Sequence, residues 1–109
     1  MNEMIDENRF NVKIESKIIE DILKVIRELQ SEVIFIFDKE GLKFNLIDPA
    51  NVSLMDGFIK QSLFLNFELN ADVVKIGFYS DNLYKIFKEN KKTFVVFEGN
   101  TAMQELNLI

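Results

Sequence analysis

The chain has no cysteine, no histidine, no tryptophan and a single proline in 109 residues. Without cysteine there is no disulfide and no thiolate nucleophile, and without histidine there is no imidazole to act as base or zinc ligand. Most familiar enzyme mechanisms are removed at once. Asp38, Glu40, Asp48 and Asp56 are the carboxylates nearest to one another, and all fall in expected turns or strand ends, where solvation or capping accounts for them. No phosphate loop, metal-ligand spacing or nucleophile motif is found, so no catalytic residue, metal or cofactor is expected. Long apolar runs are also missing: none approaches the roughly 20 residues of a membrane helix. The opening MNEMIDENRF is acidic and polar, with no apolar signal region. The reading is a soluble intracellular protein in a reducing compartment, with no membrane partner.

What is present is apolar and aromatic. Hydrophobic residues make up 48% of the chain and include eleven phenylalanines, so the core of one domain must be well filled or shared with a second subunit. RFNVKIE (9–15) alternates apolar and polar residues, the period of a half-buried strand. Ser16 offers an N-cap to a helix over KIIEDILKVIRELQ, with Glu20 and Asp21 near its positive end. EVIFIFDKEGLKFNLID reads as a hairpin turning at Asp38–Gly41, and the lone Pro49 then separates it from an alternating strand, NVSLMDGFI. QSLFLNFEL reads as irregular chain leading into a strand over 73–78. Ser80 caps a second helix, DNLYKIFKENKK, and TFVVFEG with AMQELNLI closes the chain as a hairpin through Gly99-Asn100. The order repeats a β-α-β-β(-β) unit twice. It predicts an α+β domain over 10–109, after an N-terminal extension at 1–9, with two helices on one face of an antiparallel sheet.

Charge is segregated. The chain carries −5 overall, yet seven of its thirteen basic residues sit on or beside the two helices: Lys17, Lys24 and Arg27 on the first, Lys85, Lys88, Lys91 and Lys92 on the second. Helical spacing gathers them opposite the apolar stripes, with Glu20 and Asp81 among them. A locally positive face on an acidic protein is the footprint of phosphate contact, and it equally fits an ordinary solvated helix surface.

LIDPANVSL (46–54) resembles the strand corner of the first domain of sliding clamps of the archaeal and eukaryotic proliferating cell nuclear antigen (PCNA) family. In that family an Asp-Pro-(Ala/Ser)-x-Val-x-Leu run follows a Glu-Gly-(Ile/Leu) turn, here Glu40-Gly41-Leu42. LYKIFK is similar to the family's Leu-Lys-Lys-Ile-Leu-Lys helix, and EGNTAMQELNLI to a closing strand, so the likeness runs in order over nearly all of residues 10–109.

The resemblance implies a non-enzymatic, DNA-encircling processivity factor, nucleoid-associated in a prokaryotic cytoplasm or nuclear in a eukaryote. It places Arg27, Lys85 and Lys88 among DNA-facing residues, and helical geometry adds Lys17, Lys24 and Lys91. It assigns Ile47, Val52 and Leu54 to a hydrophobic pocket for partner peptides, such as those of a DNA polymerase; simple core packing is the competing role for all three, and most strongly for Val52 and Leu54. Pro49 fixes φ near −65° and holds Asp48 extended at that corner. A family protomer has two such domains and a connector, whereas this chain stops where the connector begins and has two strands after its second helix where the family has three. The expected assembly is a homo-oligomer in which 101–109 of one copy pairs with 51–59 of the next, closing a ring. The alternative is a regulatory or decoy subunit that docks through a strand edge onto a complete clamp.

Overall fold

Alternating sequence becomes strand wherever one face is buried. In the computed structural model, which describes residues 9–47, 54–100 and 105–108, the elements are β1 (Arg9–Glu15), α1 (Ser16–Leu29), β2 (Glu32–Asp38), β3 (Gly41–Ile47), β4 (Leu54–Lys60), β5 (Asn66–Leu69), β6 (Val73–Tyr79), α2 (Ser80–Asn90), β7 (Phe94–Asn100) and β8 (Glu105–Leu108). A short 3-10 turn, Gln61–Leu63, links β4 to β5. The fold is α+β, as expected. The strands form two four-stranded antiparallel sheets rather than one, in the orders β5-β1-β7-β8 and β4-β3-β2-β6. The repeat is real: β1-α1-β2-β3-β4 is answered by β6-α2-β7-β8.

The two sheets are joined by phenylalanines. Phe97 of β7 lies 6.3 Å from Phe35 and 5.9 Å from Phe37 on β2, and 6.1 Å from Phe78 on β6. Phe10 of β1 stacks near Phe37 at 6.4 Å, so both sheets contribute to one seam of tilted and edge-on rings. Ile19, Leu23 and Ile26 of α1 and Leu83, Tyr84 and Phe87 of α2 belong to the same buried cluster.

Two stretches differ from the sequence reading. Asn66–Leu69 is a strand, not irregular chain, because it pairs antiparallel with Phe10 to Lys13 of β1; Asn66 Nδ2 also donates to Asn11 Oδ1 (2.9 Å) and Asn11 Nδ2 to Glu98 Oε2 (3.1 Å), tying β5 to β1 and β1 to β7 through side chains. The final hairpin does not turn at Gly99-Asn100. Both residues are paired with β8, Asn100 opposite Glu105, and the turn falls outside the described residues.

The β2–β3 turn rests on one glycine. Gly41 has φ +144°, a value that side chains rarely adopt, and a Cβ there would lie 2.0 Å from the Ile59 carbonyl oxygen and 2.8 Å from the Gln61 nitrogen. The chain leaving β4 passes directly over it, and Gln61 N donates to Glu40 O at 2.8 Å. Asp38 braces the same turn, accepting from Glu40 N (2.9 Å) and pairing with Lys43 Nζ (3.0 Å), which also reaches Glu40 (3.2 Å). The hydrogen bond from Lys43 holds the Asp38 carboxyl below the usual 3.8, and the same bond raises Lys43.

Gly41→Ala is expected to lower stability by about 2–4 kcal/mol, from backbone strain plus overpacking. Gly77→Ala, with open space around the added Cβ, is expected to be neutral or to stabilise by up to about 1 kcal/mol; urea unfolding of the two variants reads the opposite signs. Because the folded pKa of Asp38 is depressed, its contribution is present above about pH 4, the usual carboxylate range, and is lost as pH falls through the lower folded value. Stability curves of the wild type and Asp38→Asn should therefore differ at neutral pH and converge as pH falls below the usual carboxylate range.

Candidate nucleic-acid interface

Both helices begin on a serine, and each serine works at a distance. Ser16 Oγ donates to Lys92 O and Ser16 N to Thr93 O (3.0 Å), in the chain leaving α2. Ser80 Oγ donates to Gln30 O (2.7 Å) and Ser80 N to Ser31 O (2.9 Å), in the chain leaving α1. Neither is the expected N-cap: the cap positions are Glu15 and Tyr79, without side-chain caps, and the serines are the first helical residues. Each helix start is tied to the other helix's exit. That cross-tie sets α1 beside α2 and brings their polar faces onto one surface.

On α1, Lys17, Lys24 and Arg27 are all exposed. Lys17 pairs with Asp21 (2.9 Å) and Glu20 (3.6 Å), and the hydrogen bond with Asp21 raises its pKa. Arg27 reaches across to α2, with Nη2 2.8 Å from Asp81 Oδ1 and its guanidinium 4.5 Å over the Tyr84 ring. On α2, Lys85 lies 3.4 Å from the other Asp81 oxygen. Lys24, Lys88 and Lys91 have no ion-pair partner among the described residues. Lys24 comes eight residues after Ser16 and Lys88 eight after Ser80, so the repeat puts these two free cations at equivalent places, one on each helix. Lys91 stands just past the helix face, at the C-cap with φ +44°. Of the six candidate cations, three are thus free of ion pairs among the described residues and three are occupied. Sequence spacing located them; the Arg27–Asp81 pair, joining residues far apart in the chain, carried no local signal.

The strand-corner residues are only partly described. Ile47 and Leu54 are register partners at the end of the β3–β4 ladder, while Val52 lies outside the described residues, as do Asp48 and Pro49. β4 and β8 are each the outer strand of a sheet, with one edge unpaired among the described residues. Beside β4, the helix residues Ile22, Val25 and Ile26 and the strand residues Phe44 and Gly57 line a groove of about 310 Å³, rimmed by Asp21 and Asp56. Of the remaining acidic candidates, Asp38 and Glu40 hold Lys43 and Asp56 is exposed. Among the described residues there is no group of three or more potential metal ligands, and no helix long and apolar enough to cross a membrane.

The sequence profile of the family described as "Proliferating cell nuclear antigen, N-terminal domain" matches residues 7–109. A DNA polymerase sliding clamp 2 from Saccharolobus solfataricus is 36% identical over 67 residues, covering 62% of this chain and 27% of that protein. A DNA polymerase sliding clamp from Nanoarchaeum equitans is 26% identical over 96 residues, covering 87% of this chain and 39% of its own length. This chain therefore spans well under half of these curated relatives. The crystal structure of Proliferating Cellular Nuclear Antigen from Entamoeba histolytica superposes with a TM-score of 0.81 at 17% identity, over 92% of this chain and 41% of that one.

The cross-tie is directly testable. Ser80 is fully buried, so Ser80→Ala should cost about 1–2 kcal/mol by leaving the Gln30 carbonyl without that donor. Ser16 is partly exposed, and Ser16→Ala should cost less, about 1 kcal/mol or below; paired thermal melts give the ranking.

Proposed function

Because this chain belongs to the proliferating cell nuclear antigen family, matching its N-terminal domain, we propose that it is a sliding-clamp subunit that assembles with further copies around duplex DNA. The observation that carries this reading is the pair of free lysines, Lys24 and Lys88, at equivalent positions on two cross-tied helices. Cations repeated on one face suit a phosphate backbone, whose charge is regular and independent of sequence. Arg27, Lys85, Lys91 and Lys17 extend the same surface. The role needs positioning and electrostatics rather than bond-making chemistry, which agrees with the lack of histidine and cysteine.

Assembly is proposed through the outer strands: β8 of one copy, within 101–109, pairs antiparallel with β4 of the next, within 51–59. An unpaired strand edge is a template for another strand, and this head-to-tail contact joins unlike edges, so a ring closes if the rotation allows. The pocket at Ile47, Val52 and Leu54 is proposed to take peptides of a DNA polymerase or other replication and repair proteins. The setting is the chromosomal compartment, either a prokaryotic cytoplasm or a nucleus. The same open edges also suit a second reading, a regulatory subunit that docks on a complete clamp.

Light scattering over a range of concentrations should give a species of about six chains, as expected when each domain contacts two neighbours in a closed ring. A monomer at every concentration removes the self-assembled ring and leaves the docking reading. Lys24→Glu combined with Lys88→Glu should weaken duplex binding at least tenfold at low salt and reduce the slope of log K against log salt by about 2. Unchanged affinity and slope would remove the phosphate-contacting face.

A further inference from the structure

We infer that Arg27, Lys85 and Tyr84 form an anion site that the free protein fills with its own Asp81 carboxylate, and that a backbone phosphate of duplex DNA takes when it binds. Asp81 thereby attenuates DNA affinity. The inference rests on the phosphate-contacting reading of the helix face and adds to it a group that regulates that face.

The geometry is that of one anion between two cations. Asp81 Oδ1 is 2.8 Å from Arg27 Nη2 on α1, and Oδ2 is 3.4 Å from Lys85 Nζ on α2. Arg27 needs no carboxylate to stay in place, because its guanidinium lies 4.5 Å over the buried Tyr84 ring. The carboxylate is the least well satisfied member. Oδ1 is shielded from solvent yet receives no hydrogen bond of good geometry, so its contact with Arg27 is charge against charge without an aligned donor. Arg27 and Asp81 side chains are a third and a half exposed, so water and salt weaken the pair and a phosphate can reach it. A phosphate offers Arg27 two oxygens in the plane of its fork, which the present contact does not.

The repeat supports the same conclusion. Asp81 follows Ser80 as Lys17 follows Ser16, so at the equivalent place the first helix carries a cation. Asp81 also suits the positive end of the α2 dipole, but α1 forms with lysine at the equivalent place, so an acid there is not a condition of the helix start. With Asp81 in place, two of the six candidate cations are engaged across or along α2, and Lys24, Lys88 and Lys91 carry the first contacts.

The test is Asp81→Asn, an isostere without the charge, read by fluorescence anisotropy of a labelled duplex across a salt series. Affinity is expected to rise about three- to tenfold, and the slope of log K against log salt to steepen by about 1–2, as one or two more cations meet phosphates. A double-mutant cycle adds a readout that fold stability does not move: Arg27→Ala should weaken binding less than about threefold in the wild type and about tenfold in Asp81→Asn. If Asp81→Asn leaves affinity and slope unchanged while Lys24→Glu with Lys88→Glu weakens binding, the anion site is overturned and the DNA reading stands. If no variant binds duplex at any salt, both fall. Should Asp81→Asn fail to fold, Arg27→Ala in the wild type decides: a loss above about tenfold means Arg27 already holds phosphate beside Asp81, and overturns the proposal, whereas a loss below about threefold supports it.

Discussion

The candidate interface depends on two backbone exits being held by two serine starts. Helices this short gain most of their stability from packing, and their relative placement follows from what their ends are attached to. Here each end is attached to the other helix: Ser16 to Lys92 and Thr93, Ser80 to Gln30 and Ser31. The arrangement satisfies the first backbone N–H of each helix, a donor that a helix start would otherwise leave to water. It also fixes the spacing of Lys24 and Lys88, because neither helix can slide without breaking a bond at its own start and one at its own exit.

The aromatic seam is the second condition. Each four-stranded sheet is small, and one face of each is apolar; Phe97 against Phe35, Phe37 and Phe78 buries those faces on one another. Phenylalanine suits this place because its ring carries no polar group that would need a partner. The charged side chains are then confined to the outer surfaces, which is how a chain of net charge −5 presents a basic helix face.

Much of this was legible in the sequence, for reasons that can be named. β1 and β2 follow from strict alternation, α1 from an apolar stripe at helical spacing, and the repeat from element order. The exposed positions of Lys24, Arg27, Lys85 and Lys88 followed from the same spacing. What was not legible depends on contacts between distant residues. β5 is an outer strand defined by its pairing with β1, and the serine cross-ties and the Arg27–Asp81 pair join the two halves of the chain. Lys91 reads as one more helical residue until the left-handed cap at that position is seen.

The place of β1 has a consequence for how the protein is made. It lies between β5 and β7, so this strand is flanked by partners that come much later in the chain. The sheet of β2, β3, β4 and β6 can complete itself once residue 79 is available, with hairpins that need little loop closure. Arg9–Glu15 can pair one edge with Asn66–Leu69, but its other edge stays open until Phe94–Asn100 arrives. During synthesis β1 thus keeps one open edge over this interval, and the step that closes it also brings Phe97 against the other sheet and seals the domain.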